Sequence, residues 1–346
     1  LLLAGRLVLD RGFAFPARLR AAGRLRRVTV GLALAASIVA PSAGLLSWAG
    51  YLFSTGRIVE AGVPHRTIDR LVPEALGLRS AAYSLAEAPW PAPAYVGCVQ
   101  NLIGHSAAGH HAWFLGRTSL FGWRSYFPVT LAVKEPLAAL ALLAAGLLAL
   151  GGARELGPGR PEAMLPPALA LAAAIASPIA IGVRHVLHVV PFLALFAGAA
   201  LAGSRGESKL RRSAAWLAAT LVVLATALDY PFFLASFNVL GGGPRGGHRI
   251  LSDSNVDWGQ DLDHLADTQR HLGAGRLSGD LFYFVPEGVG PKLVRPEGAN
   301  LFALGVTARH GQYDRARPDR YAGYDPEDAL LRAGHSIEIY DRLPEE

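Results

Sequence analysis

Long apolar runs alternate with two extended polar regions along the chain. A transmembrane helix needs about twenty apolar residues, because each residue rises 1.5 Å and the hydrocarbon core of a bilayer is roughly 30 Å thick. The runs of this length predict about five membrane-spanning helices. They lie at about 28–53, 128–151, 163–183, 186–203 and 214–233. Only Arg184 and His185 separate the third run from the fourth, which predicts a tight helical hairpin.

The two polar regions predict folded material outside the bilayer. Region 54–126 is too long for a simple connector, and ordered loops of that length commonly carry function. After the last run, short apolar segments alternate with helical stretches, which predicts a small α/β domain. The apolar segments are 281–285, 300–306 and 335–340, and the helical stretches are about 260–272 and 326–333. The glycine-rich run 241–247 is interpreted as a flexible hinge to this domain.

The predicted fold is therefore mainly α: a polytopic transmembrane bundle of about five spans with a small extracytoplasmic α/β domain at the C-terminus. Residues 1–27 form a basic cytoplasmic segment in this prediction, and residues 28–236 form the bundle with the extracytoplasmic loop 54–126. Residues 237–346 form the α/β domain.

Composition supports a membrane protein over an ordinary soluble enzyme, with 51% hydrophobic and only 17% charged residues and a mean hydropathy of +0.29. The single cysteine, Cys98, cannot form an intramolecular disulfide.

Basic residues predict the orientation in a bacterial inner membrane. Segment 1–27 carries seven Arg against one Asp, and segment 204–213 carries four basic residues against one Glu. Because Lys and Arg favour cytoplasmic loops, the polar regions should lie on the extracytoplasmic side. Residues 234–346 hold twelve Lys plus Arg and seventeen Asp plus Glu, a net charge of −5. The net +6 of the whole chain is thus mainly a topology signal and gives no support for a nucleic-acid partner.

Lys134 lies with Glu135 about seven residues inside the second apolar run. A charge at such depth costs several kcal/mol unless it has a partner or a task. One hypothesis is that Lys134 binds an anionic headgroup such as a phosphate at the membrane boundary. The alternatives are an ion pair with Glu135 or a lysine that snorkels to the surface.

Arg184, His185 and His188 cluster between the third and fourth runs. A bidentate Arg184 with the histidines as hydrogen-bond donors predicts a phosphate site. Structural capping of the hairpin is the alternative. A metal site is not indicated, because no carboxylate stands beside the two histidines. No cofactor is indicated elsewhere, although a divalent metal remains compatible with the sequence.

A polar decad, DSNVDWGQDL at 253–262, follows the last apolar run by about twenty residues. It resembles a calcium loop in its first positions, but Trp258 replaces the required glycine and His264 replaces the bidentate glutamate. The remaining interpretations are substrate contact, a helix cap for 260–272, or a seam between the bundle and the C-terminal domain. The residues concerned are Asp253, Asn255, Asp257, Gln260 and Asp261.

Four strings in the chain resemble, in the same order, the C-terminal half of bacterial membrane glycosyltransferases of the protein O-mannosyltransferase-like family 39, within the GT-C superfamily. The strings are FLGRTSLFGWRSYFPVTLAVKEP (114–136), GVRHVLHVVPFLALFAG (182–198), YPFFLASFNVLGGGPRGGHRILSDSNVDWGQDL (230–262) and AGHSIEIYD (333–341). The resemblance covers roughly residues 40–343.

The resemblance implies an inverting enzyme that transfers a sugar from a polyprenyl-phosphate donor to a protein, lipid or glycan acceptor on the extracytoplasmic face. In this superfamily the catalytic Asp or Glu lies in the first extracytoplasmic loop, upstream of the resembling stretch, so we expect the chain to be the C-terminal part of a longer enzyme and leave the catalytic residue unassigned. Arg117 and His185 depart from the family pattern, where an acidic and an aromatic residue are common.

Within this resemblance, Lys134 and Arg184 are predicted to hold the donor phosphate. Trp123, Tyr126 and Phe127 are predicted to form an interfacial rim for the sugar or acceptor. Two other functions fit the same residues. One is a transporter or flippase of lipid-linked sugars, and the other is a non-catalytic membrane partner that binds the donor.

Overall fold

The chain divides into two compact units, Leu1–Ala108 and Gly109–Glu346, in a computed structural model. The residues described are 24–59, 65, 68–69, 72–74, 77–152, 160–203, 208–273, 277–281, 293–294, 298–314 and 316–341. Most of the predicted basic segment 1–27 lies outside this range. The boundary between the units falls inside the polar region 54–126, so the later apolar runs and the C-terminal tail belong to one unit.

The described part of the first unit contains a long helix, two short paired strands and two further helices. Its elements are α1 (Arg24–Gly50), β1 (Thr55–Arg57), α2 (Arg79–Glu87), β2 (Pro89–Pro91) and α3 (Pro93–Ala108). Strands β1 and β2 pair antiparallel, with Gly56 opposite Trp90. Helix α1 overlaps the first predicted run and keeps Pro41 inside it.

The second unit begins with a hairpin and continues with five helices. These elements are β3 (Ala112–Phe114), β4 (Arg117–Ser119), α4 (Tyr126–Lys134), α5 (Leu137–Gly152), α6 (Arg160–Ala176), α7 (Val190–Gly203) and α8 (Lys209–Leu228). A 3₁₀ turn, Val183–Val189, leads directly into α7. The described residues contain two helical stretches long and apolar enough to cross a membrane, Val183–Ala202 and Lys209–Leu228.

These two stretches indicate membrane association, because they keep large apolar side chains on the outside of the fold. No residue of the apolar part of α8 is buried, and Leu217, Val223 and Leu228 are 60%, 68% and 85% exposed. Soluble proteins rarely expose contiguous apolar patches of this extent. The predicted bundle of about five spans is only partly visible, since α6 supplies a shorter apolar stretch, Met164–Ala176.

The predicted span 128–151 is broken, because α4 and α5 meet at an angle of 114°. Pro136 causes the break: the residue before a proline avoids the helical region, and Glu135 has ψ 141°. Asn238 then bonds the freed end of α4. Its side-chain amide donates to the carbonyls of Ala132 (2.7 Å) and Glu135 (2.8 Å), and its backbone N–H donates to that of Val133 (2.9 Å).

The described C-terminal part forms a small four-stranded sheet, against which a helix packs. Its elements are α9 (Leu262–Leu272), β5 (Leu277–Asp280), β6 (Leu301–Gly305), β7 (Leu331–Ala333) and β8 (Ile337–Tyr340), with the strand order β5-β6-β8-β7. Strand β5 is parallel to β6, and the other neighbours are antiparallel. Leu265 of α9 packs on one face of the sheet, with Ile337 and Ile339.

Four predicted elements of the tail can be compared with the structure. Strands β6 and β8 confirm the predictions at 300–306 and 335–340. The predicted helix at 326–333 is wrong, since Pro326–Asp328 is one 3₁₀ turn and β7 pairs with β8. The run 281–285 lies outside the described residues except for Leu281.

The predicted hinge at 241–247 is also wrong, because the run is folded into short helical turns. Gly243–Gly246 is a single helical turn and Gly247–Arg249 a 3₁₀ turn. Gly241 and Gly247 pack against the Phe237 ring, and a Cβ on Gly247 would lie 2.2 Å from that ring. Glycine is thus required for close packing at position 247, and Gly242 and Gly243 have the left-handed φ values of +78° and +65° that glycine adopts without strain.

Candidate functional site

Residues 251–261, which we call the seam segment, run through the interior of the second unit. The predicted site residues in this segment are almost fully enclosed. Asp253, Asn255, Asp257 and Asp261 are 3%, 0%, 2% and 1% exposed. Its first residue, Leu251, forms a bridge to Phe114 of β3. Buried polar groups need hydrogen-bond partners, and those partners show what the segment connects.

Asn255 connects the helical part of the unit to the seam segment. Its amide nitrogen donates to the Tyr126 hydroxyl of α4 (2.8 Å), and its amide oxygen accepts from the Val183 N–H (2.9 Å). Val183 begins the 3₁₀ turn that carries Arg184. One side chain therefore fixes α4 and the start of a membrane-length helix against each other.

Lys134 does not form the predicted ion pair with Glu135, which follows it directly at the end of α4. The ammonium donates to the carbonyls of Leu234 (2.6 Å) and Asn255 (2.8 Å) and lies 4.2 Å from the centre of the Phe237 ring. These contacts satisfy the cation within the protein. Lys134 thus holds the end of α4 to the seam segment and is poorly placed to bind an external phosphate.

Asp253 ties the seam segment to the loop after β6. It has a positive φ of 57°, which Asp tolerates better than most residues. Its Oδ2 accepts from the Gln312 amide (3.2 Å) and from the Tyr313 hydroxyl. Burial and the adjacent carboxylate raise the pKa of Tyr313, so its phenol stays protonated as a donor.

Asp261 ties the segment to the turn between β7 and β8. Its Oδ2 accepts from the backbone N–H groups of His335 (2.9 Å) and Ser336 (2.9 Å) and from the Ser336 hydroxyl (2.8 Å). Asp261 occupies the N-cap position of α9, but its side chain makes no cap bond there. The predicted capping of this helix by Asp253 or Asn255 is also not observed.

Gln260 and Asp257 shape the turn that presents Trp258. The Gln260 amide accepts from the Trp258 N–H (2.7 Å) and donates to the Val256 carbonyl (2.9 Å). The Asp257 carboxylate accepts from the Gly259 N–H at 3.4 Å. Trp258 is consequently 50% exposed, whereas Val256 and Asp257 before it are buried. Trp258 was not among the predicted site residues, although an aromatic residue among acidic ones was a visible signal.

Arg184 lies over the exposed Trp258 ring, with its guanidinium carbon 4.6 Å from the ring centre. Arg184, His185 and His188 are all exposed. His185 and His188 are three residues apart on the 3₁₀ turn, where residues at that spacing eclipse each other and share one face. The predicted cationic cluster therefore exists at the start of the Val183–Ala202 stretch, next to an aromatic surface.

The predicted aromatic rim is not formed by all three of its residues. Tyr126 and Phe127 are each 1% exposed and belong to the main hydrophobic core, while Trp123 is partly buried against it. The Tyr126 hydroxyl accepts a hydrogen bond from the Asn255 amide. The prediction is wrong for Tyr126 and Phe127. Both residues belong to the apolar helix α4, and apolar character alone does not distinguish a side chain in the core from one that faces a ligand.

A second charged group involves residues of strands β7 and β8 and was not predicted from the sequence. Arg309 pairs with Glu338 at 2.8 Å, with 7% and 3% of the two side chains exposed. Arg332 approaches the same carboxylate at 3.6 Å. His310 stacks on Trp113, with ring centres 3.9 Å apart. The only signal was the density of polar residues in ARHGQY after β6.

Metal binding finds no support within the described residues, which contain no group of three His, Cys, Asp or Glu arranged to hold an ion. No family model, curated protein or solved structure matches the chain. The resemblance to family 39 glycosyltransferases therefore stays a prediction, and the function rests on the geometry of the site.

Proposed function

We propose that the chain forms part of an inner-membrane glycosyltransferase, which transfers a sugar from a polyprenyl-phosphate donor to a protein, lipid or glycan acceptor on the extracytoplasmic face. The observation that carries the proposal is the exposed Arg184, held over Trp258 at the start of a helix of membrane-spanning length. His185 and His188 stand on the same turn. A polar donor group and a lipid tail would meet at such a boundary.

The chemistry of these side chains suits a lipid-linked phosphate. A guanidinium offers a planar fork to two phosphate oxygens, and the two imidazoles add N–H donors. In transfer of the sugar, negative charge grows on the departing phosphate, and a fixed cation stabilises that charge. The exposed face of Trp258 offers a flat apolar surface for the sugar ring. We assign no catalytic base among the described residues.

This proposal assigns the phosphate to Arg184 and the histidines and not to Lys134. The ammonium of Lys134 is already bonded to two carbonyls, whereas the Arg184 side chain is exposed. The role left to Lys134 is to maintain the joint that positions the 3₁₀ turn. Its substitution should lower stability before it changes donor affinity.

The test uses the whole chain in nanodiscs and a radiolabelled polyprenyl-phosphate sugar. Arg184→Gln should weaken donor binding by about 10-fold or more, because one charge-assisted contact contributes about 1.5–3 kcal/mol. Arg211→Gln is the matched control, since Arg211 is an exposed arginine on α8. Equal donor affinity in the two variants would reject the site.

A transfer assay with membrane acceptors separates the proposed enzyme from its alternatives. Transfer that falls in Arg184→Gln supports the enzyme. Saturable donor binding without transfer would instead support a non-catalytic donor-binding partner. Movement of the labelled donor between leaflets without transfer would support a flippase.

A further inference from the structure

A cleft of about 670 Å³ lies in the C-terminal part of the second unit. It is bounded by the helical turns around Gly243–Gly246 on one side and by 326–335 on the other. None of the proposed donor-site residues lines it. The charged and titratable groups at its wall are Arg245, His248, Arg249, Glu327, Arg332 and His335.

The wall of this cleft carries more positive than negative charge. Three arginines face one carboxylate, that of Glu327. Arg249 pairs with Glu327 at 3.3 Å, but both side chains are mostly exposed, at 66% and 79%. Such a surface pair contributes little and opens readily. Arg245 is exposed, and within the described residues no ion pair engages its guanidinium.

Arg332 of the cleft wall is not fully neutralised by its own ion pair. It shares the Glu338 carboxylate with Arg309, so two guanidiniums stand against one buried acid. One carboxylate therefore leaves about one of these two positive charges unbalanced. A charge held in a low-dielectric setting favours an anion nearby far more than the same charge in water.

The positive charge around the cleft also affects the pKa values of its two histidines, His248 and His335. Burial and, after it, the charges of Arg309, Arg332 and Arg249 together lower the pKa of His248 to about 3. Burial and the charges of Arg245 and Arg332 also lower the pKa of His335. Both imidazoles are thus neutral at pH 7 and can each donate one N–H without adding charge.

We propose that this cleft binds a phosphate group, held by Arg245, Arg249 and Arg332. A phosphomonoester presents three free oxygens and close to two negative charges, so it can engage several guanidiniums at once. A carboxylate has only two oxygens and one charge. Leu330 and Leu331, which line the cleft, are 54% and 40% exposed and give a bound molecule an apolar contact beside the phosphate.

The phosphate could be carried by a soluble molecule or by a lipid headgroup, and two arms of one experiment distinguish them. The whole chain in phosphatidylcholine nanodiscs is titrated with glycerol 1-phosphate by calorimetry. In the second arm the ligand is phosphatidic acid, which is incorporated into the nanodiscs. Saturation in the first arm assigns a soluble phosphomonoester, and binding confined to the second assigns a lipid headgroup. Absence of saturable binding in both arms overturns the proposal.

Three variants connect that binding to the cleft. Arg245→Gln should weaken it about 10-fold, and Glu327→Gln should tighten it a few-fold because a competing carboxylate is removed. Arg270→Gln is the control, since Arg270 is an exposed arginine on α9 that does not line the cleft. Equal affinities of Arg245→Gln and Arg270→Gln, or acetate binding as tight as phosphate binding, would overturn the assignment. The inference does not depend on donor binding at Arg184.

Discussion

Gly334 shows how a single residue can decide whether the β7–β8 turn closes. It has a φ of +62°, and a Cβ there would lie 2.1 Å from the carboxyl carbon of Asp261. The same carboxylate receives three hydrogen bonds from His335 and Ser336. A side chain at position 334 would therefore strain the backbone and displace the acceptor of those bonds together.

Gly334→Ala should destabilise the protein by about 3 kcal/mol, of which about 1 kcal/mol is the cost of a left-handed alanine and the rest the loss of buried hydrogen bonds. Gly273→Ala is the control, because Gly273 has φ +61° and meets no described atom within 4 Å. Denaturant unfolding in detergent compares the two. Equal shifts of the midpoint would show that the collision with Asp261 is unimportant.

His248 should make stability depend on pH. Burial first, then nearby arginines, lower its pKa from 6.5 to about 3 in the folded protein. Between these values the unfolded chain binds the extra proton, so this contribution is fully present above pH 6.5 and is lost as pH falls toward 3. From pH 7.5 to 5.5 the loss should be about 1 kcal/mol.

The free energy of unfolding at the two pH values, measured for His248→Gln and for His271→Gln, checks this expectation. The first variant should reduce the pH dependence, and the lowered pKa of buried His310 keeps part of it in place. His271 is exposed, so its variant should follow the wild type. Burial also raises the pKa of Glu338, which acts in the opposite direction. That contribution is common to all three proteins and cancels in the comparison. An unchanged slope in His248→Gln would contradict the argument.

At the scale of elements, the bend between α4 and α5 separates what the sequence predicts from what it cannot. Pro41 stays inside α1 and Pro166 inside α6 without ending either helix. Pro136 ends α4, and Asn238, about a hundred residues away, bonds the exposed carbonyls. Hydropathy therefore located the apolar runs. Whether a proline ends a helix depends on a partner that bonds the freed carbonyls, and that partner is supplied by tertiary structure.

Asn238→Asp should loosen this corner. The exchange replaces an amide that donates to the carbonyls of Ala132 and Glu135 by a carboxylate that can only repel them. We expect a loss of about 2 kcal/mol in the free energy of unfolding, since two buried acceptors lose their donor. Asn300→Asp makes the same change at an exposed position. Identical unfolding midpoints for both variants would show that Asn238 does not cap α4.

At the scale of the whole chain, two membrane-length stretches and a small sheet follow from periodicity, whereas the interior of the seam segment does not. The decad 253–262 was recognisable as unusual by its polarity alone. Its partners Tyr126, Val183 and Ser336 come from three distant parts of the chain. Sequence spacing carries no information about such contacts. It could therefore not distinguish whether these polar residues contact a substrate or connect distant parts of the fold.

The proposed orientation places α9 outside the cell and the start of α8 in the cytoplasm. A Cys98→Ser background with a cysteine at Asp267 should react with an impermeant maleimide in intact spheroplasts. A cysteine at Lys209 should react only after lysis. Both native positions are exposed. Labelling of the cysteine at position 209 in intact spheroplasts would contradict the proposed orientation.

Five glycines in seven residues would ordinarily mark a point where a chain is cut by proteases and varies in length among relatives. The tight packing of 241–247 against Phe237 reverses that expectation. Trypsin should leave the bond after Arg245 intact in the folded protein, although the Arg245 side chain is exposed, and should cut it once heat unfolds the unit. Inserted residues here should likewise be rejected, because this run behaves as part of the core.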